Sequence, residues 1–159
     1  MIKSVLFKTK KLIFSILIIL SVVANYAFGP GMGEKEWLDW SNKFLSESFN
    51  SSLESRLKKW EITVSPERFI RLRKFYPHGK QEYYSLHINK LDSINYVQTA
   101  TGGELRFKTI ADDVIVQTYE DPKGNIDSMS TVLVVPVKEI TPERLDSLND
   151  ALKYFKENK

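Results

Sequence analysis

Residues 56 to 80 carry eight cations, Arg56, Lys58, Lys59, Arg68, Arg71, Arg73, Lys74 and Lys80, against two acids, Glu61 and Glu67. In Phe69-Ile-Arg-Leu-Arg-Lys-Phe75 the period-two alternation of a strand sends Ile70 and Leu72 to one face and Arg71 and Arg73 to the other. Two neighbouring guanidinium forks can grip a phosphate or carboxylate bidentately. Arg71, Arg73, Lys74 and Lys80 are therefore the candidate binding residues. The simpler reading is that these charges solvate an outer sheet face and pair weakly with acids of neighbouring strands.

Other chemistries find little support. The chain of 159 residues has no cysteine, which excludes a disulfide framework, a thiolate metal site and a cysteine nucleophile. Neither histidine, His78 or His87, has a His, Asp or Glu at a characteristic metal-ligand spacing. Ser85 and His87 would share a strand face, yet no acid or oxyanion device accompanies them. Residues 121–127 place Lys123 and Gly124 where a calcium loop needs ligand and spacer to alternate, so a hairpin turn suffices. Asn50-Ser-Ser52 fits the glycosylation triplet, a frequent chance match. No catalytic residue, metal or cofactor is expected, and the chain reads as a non-enzyme.

The overall charge of +3 and pI near 9.0 invite a nucleic-acid reading, but the charge is unevenly placed. Residues 1–24 hold Lys3, Lys8, Lys10 and Lys11 and no acid. The remaining 19 basic residues stand against 20 acidic ones, a formal charge of −1. Within that part, residues 56–80 are locally +6 and the rest −7. No nucleic-acid partner is expected.

The lysines precede an apolar run from Leu12 to Phe28, broken by Ser15, Ser21 and Asn25. A cationic front followed by a greasy segment is an export signal. The run is shorter than the ~20 residues a stable span prefers, so cleavage after Ala24 is favoured over a retained anchor formed by residues 12–28. Either outcome leaves the lysines in the cytoplasm and the remainder in the periplasm or another extracytoplasmic space. Residues 25–33 form a linker ending in Gly29-Pro-Gly-Met-Gly33.

These candidate residues need elements to position them. Trp37, Trp40, Phe44, Leu45, Phe49, Leu53, Leu57 and Trp60 recur mostly every three or four residues, predicting an amphipathic helix over 34–59. Trp37 and Trp40 on this helix fit a core role better than a membrane-interface belt. Five serines and Asn50 in residues 46–55 can bond backbone locally and predict a break or bend there. From Trp60 the period changes to two, predicting seven strands over 60–65, 69–75, 82–88, 94–99, 104–109, 114–119 and 129–136. Short turn-rich gaps favour antiparallel neighbours, hence a meander. Thr141 as N-cap, Pro142 at the first helical position and the stripe Leu145, Leu148, Leu152 and Phe155 predict a closing helix over 142–157.

Seven antiparallel strands followed by a capped helix, over residues 60–159, resemble the pleckstrin-homology-like fold. The stretches 83–96 and 145–155 look like that family's strand-to-strand corner and closing helix. The resemblance implies an α+β domain with an open seven-stranded barrel, plugged at one end by the C-terminal helix and here preceded by an extra helix. It also implies phosphoinositide or peptide binding, with basic residues on the first hairpin. A helix against a curved sheet, as in cystatin-like or nuclear-transport-factor-like (NTF2-like) folds, is the alternative architecture. The expected function is a binding module of the cell envelope for a protein or peptide, using a sheet edge or the groove between strands and helix. A second candidate partner is an anionic membrane surface, met by the basic hairpin.

Overall fold

A computed structural model describes residues 31–54 and 56–158 of the chain. The export segment predicted over residues 1–28 lies outside the described residues. Among those described, no helix is long and apolar enough to cross a membrane.

The order is helix α1 (Glu34–Ser48), strands β1 (Lys59–Val64), β2 (Phe69–Phe75), β3 (Gln81–His87), β4 (Leu91–Thr99), β5 (Gly102–Thr109), β6 (Val114–Tyr119), β7 (Asp127–Ser130) and β8 (Val132–Val137), then helix α2 (Pro142–Glu157). The class is α+β. The strands are antiparallel and form a five-stranded sheet, β1-β2-β3-β6-β7, and a three-stranded sheet, β4-β5-β8. The two sheets do not join into a closed barrel.

The registers explain this split. Gln81 to Ser85 pair with Tyr119 to Ile115, and residues 91–99 pair with 109–102, so β3–β4 and β5–β6 are two long strands lying side by side. Likewise β7–β8 follows β6–β5. The path is a meander of long bent strands, and each of the last three contributes one half to either sheet. The bends fall at the 3-10 turn Ile88–Lys90, at residues 110–113 and at Thr131. The single strand predicted over 129–136 is therefore two, giving eight strands instead of seven. Thr131 turns its carbonyl to the Thr109 N–H at 2.9 Å, while Ser130 Oγ holds the Val132 main chain at 3.2 Å.

The long helix predicted to residue 59 stops at Ser48. Phe49 instead bridges Val137, the Asn50 N–H donates to the Pro136 carbonyl at 2.9 Å, and residues 51–53 form a 3-10 turn. The helix ends where the main chain of Phe49 and Asn50 turns to pair with β8, and the Ser52 hydroxyl donates to the Asn50 side-chain oxygen at 2.6 Å. Asn50 is buried, with its side-chain NH2 donating to the Thr101 carbonyl at 3.3 Å, so the amide of the glycosylation triplet already serves the fold.

The core joins Phe44 and Leu45 of α1, Ile70 and Leu72 of β2, Leu105 and Phe107 of β5, Leu133 and Val135 of β8, and Leu148, Leu152 and Phe155 of α2. Trp37 meets Trp40 edge-on at 6.0 Å and Tyr154 of α2 at 6.4 Å, and Trp40 stacks on Phe44 at 5.2 Å, so the tryptophans knit the two helices. Gly103 lies under Tyr96, and a Cβ there would fall inside the Tyr96 ring. Helix α2 starts where Pro142 predicts. The Thr141 side chain makes no cap to the backbone; the backbone N–H of Glu143 itself, and next the Thr141 hydroxyl, hold the Glu143 carboxyl below the usual range.

Candidate functional site

The β2 register puts Arg71 and Arg73 on the outer face of the larger sheet, with Ile70 and Leu72 fully buried beneath. Arg73 stands in a row with Glu61, Tyr83, Gln117 and Asp127. Arg71 stands in the next, with Thr63, Ser85, Ile115 and Met129. The Arg71 guanidinium lies 5.0 Å from the Phe69 ring centre; that of Arg73 lies 5.4 Å from Tyr83 and 6.0 Å from Phe75. Neither forms an ion pair among the described residues. Cation–π contact holds each fork in place while its N–H donors stay available. Tyr119 and Met129 extend the face and are about half exposed, 45% and 51%.

The neighbouring acids respond to these cations. Glu61 is held below the usual carboxylate range, first by its hydrogen bond to Lys59 and in smaller part by the charges of Lys59 and Arg73. Glu67 is lowered by the Ser65 hydroxyl and its own backbone N–H, with Arg71 adding to the effect. The face carries Lys59, Arg71 and Arg73 against Glu61 and Asp127, a net charge of only +1. It is a pair of discrete forks set among aromatic rings, and not a broad positive field.

Lys74 and Lys80 do not join them. Lys74 shares the inward face of β2 with Ile70 and Leu72, is 7% exposed, pairs with Glu54 and lies 5.6 Å from the Tyr84 ring centre. It lines a cleft of about 440 Å³ between the sheets, with Tyr84, Val116, Val132 and Val134. Lys80 follows the turn Pro77–Gly79 and is clamped by Glu82 at 3.1 Å and Asp121 at 2.9 Å, which raise its pKa. Glu82 also accepts from the hydroxyls of Tyr76 at 3.0 Å and Tyr84 at 3.2 Å. Burial, then the Glu82 charge, pushes both phenols up, so they remain protonated donors. This network ties the turns together and leaves neither lysine free for a ligand.

His87 sits opposite Phe69 on the outer face, edge-on at 4.7 Å, with Nδ1 accepting from the Asn89 N–H at 3.1 Å. Ser85 shares that face but is 2% exposed beside Arg71. Among the described residues no carboxylate orients the imidazole, so the pair lacks the third member of a nucleophilic relay there. His78 occupies an exposed turn at φ 67°. No group of His, Asp and Glu able to hold a metal exists among the described residues. Residues 121–127 form a hairpin turn in which Asp121 accepts from the Lys123 N–H at 2.9 Å and Gly124 adopts φ 100°.

Sequence reasoning missed the aromatic half of this face. The alternation that orients Arg71 and Arg73 also places Phe69 and Phe75 beside them, a signal present in the strand itself. Tyr83, Tyr119 and Met129 join only through cross-strand register. No protein-family model, curated protein or solved structure matches this chain.

Proposed function

We propose that this chain is an exported, non-catalytic binding module whose partner is a protein, engaged by the outer face of the five-stranded sheet. The observation that carries the reading is the pair Arg71 and Arg73, positioned on aromatic rings on a sheet face where, among the described residues, neither forms an ion pair. Arginine, tyrosine, phenylalanine and methionine are the residues that dominate the buried centres of protein interfaces, and lysine is depleted there. A carboxylate on the partner would find two bidentate donors whose ordering cost is already met by the rings. Export rests on the lysine-fronted apolar leader.

We read the fold as a bent relative of the pleckstrin-homology-like architecture. Two antiparallel sheets followed by a closing helix support that reading; the extra N-terminal helix and the three strands shared between sheets are its departures.

The same arginines support a second reading, docking on an anionic membrane surface, but a net charge of +1 favours the discrete partner over a lipid field. A photo-crosslinking residue in place of Tyr119, in the full chain in its own cell, separates the two. The protein reading expects one discrete adduct that disappears when Arg71→Ala and Arg73→Ala are combined. Adducts indifferent to the double variant would overturn it, and salt-sensitive pelleting with phosphatidylglycerol vesicles that the double variant abolishes would replace it with the membrane reading.

A further inference from the structure

The sheet edges of this fold are defended unequally. On β1, the side chain of Asn42 occupies both main-chain groups of Val64. On β8, Pro136 has no N–H, its carbonyl is taken by Asn50, and Ser130 Oγ engages Val132. β7 is only four residues long and begins with Asp127. These are the usual devices against unwanted strand pairing. β4 is guarded only at its start, where Lys156 Nζ donates to the Leu91 carbonyl at 2.8 Å and the register shifts between Leu91 and Ser93 beside Asp92. It is nine residues long, forms an edge of the smaller sheet, and from Ser93 to Thr99 reads Ser-Ile-Asn-Tyr-Val-Gln-Thr, without charge, proline or glycine.

The register identifies which groups this edge presents. The Thr109 N–H bonds the Thr131 carbonyl and the Pro136 carbonyl points away from β5, so β5 turns its odd-numbered main-chain groups toward β8 and its even-numbered ones toward β4. Glu104 and Arg106 therefore bond Val97 and Asn95, and the N–H and C=O of Ile94, Tyr96 and Gln98 face outward. None of these six groups has a partner among the described residues. Val97 beside them is 37% exposed.

We infer that β4 pairs antiparallel with β4 of a second copy of this chain, about a two-fold axis at Tyr96. This goes beyond the partner proposed for the outer arginine face and uses a separate surface. In that register Ile94 meets Gln98 of the other copy and Tyr96 meets Tyr96, two hydrogen bonds per pair over three pairs, satisfying all six groups on each side. Asn95 meets Val97, and Ser93 meets Thr99. Every facing pair is neutral, so an edge that charge would guard against itself lies beside its own copy without repulsion. The following residues, Ala100 to Gly102, have small side chains and run toward the groove of about 280 Å³ between the start of β4 and α2. The two three-stranded sheets become one of six strands.

The absence of cysteine makes the test direct. Asn95 and Val97 of opposite copies form a non-hydrogen-bonded pair with Cα atoms about 4.5 Å apart, within disulfide reach, whereas each residue lies beyond it from its own equivalent. Chains carrying Asn95→Cys and chains carrying Val97→Cys are co-expressed at full length in cells and treated with a mild oxidant. The expected result is a covalent dimer in the mixture and little in either variant alone. Gln98→Pro, which removes an outward N–H, should shift the protein recovered from those cells from dimeric to monomeric mass by light scattering, with an unchanged circular dichroism spectrum. No covalent dimer in the mixture overturns the pairing; equal dimer in a single variant overturns the register; a stoichiometric foreign strand crosslinked at residue 95 overturns the choice of partner.

Discussion

Asn42 on α1 and Val64 at the end of β1 are joined by two hydrogen bonds: the side-chain NH2 donates to the Val64 carbonyl at 3.0 Å, and the side-chain oxygen accepts from the Val64 N–H at 2.7 Å. One amide side chain thus imitates a neighbouring strand and seals the edge of the larger sheet where the first helix crosses it. The same NH2 also reaches the Leu38 carbonyl at 3.0 Å, which fixes the rotamer from within the helix.

Asn42→Leu leaves both Val64 groups without partners. We expect a loss of about 2–4 kcal/mol, since each buried unsatisfied group costs roughly 1–3 kcal/mol. Asn42→Asp keeps the acceptor for the Val64 N–H and removes the donor, so it should lie between the two. Urea unfolding of the three proteins checks the order, and equal midpoints would show that the clamp adds nothing.

The Lys74–Glu54 pair makes a different prediction. Lys74→Met strands the Glu54 carboxylate in the cleft it lines with Lys74, and we expect a loss of roughly 2–4 kcal/mol. Combining it with Glu54→Leu should restore most of that, because the uncompensated charge is gone and apolar packing replaces the pair. A thermal double-mutant cycle measures the coupling. Strictly additive losses would show that the two side chains do not act as a pair.

The clamp of Lys80 by Asp121 and Glu82 is tested by pH. The Lys123 N–H and the Lys80 ammonium depress the Asp121 carboxyl in the folded protein, so its contribution is present above its unfolded value of about 3.9 and is lost as pH falls through the lower folded value. Lys80 is raised, so its contribution is complete below about 10.4 and is lost as pH rises through the higher folded value. Asp121→Asn should therefore lower the urea midpoint across the neutral range. The difference from the parent should shrink as the medium is acidified below about pH 4. A difference that persists unchanged into acid would assign the effect to the turn geometry.

Much of the fold was legible where local pattern and final partner agree. β2 and β6 occupy the residues their alternation predicts, and α2 spans Pro142 to Glu157, because an N1 proline and an apolar stripe act within one helix. Lys74 was legible too: the parity that separates Arg71 and Arg73 from Ile70 also separates Lys74 from them, and grouping Arg71, Arg73, Lys74 and Lys80 by charge ignored it. The long strand at residues 129–136 was not legible as two. Nothing local distinguishes a straight strand from one that changes sheet at Thr131, since the bend depends on Thr109 waiting across the ladder.

Residue types and their spacing alone determined the class of this protein, the cationic hairpin and the helix that closes it, because these follow from period and side-chain identity within a few residues. Tertiary structure alone decided which cations stay free, which rings hold them and which edge remains open. Those outcomes depend on register between strands that lie tens of residues apart, and a shift of one residue would turn every side chain to the opposite face.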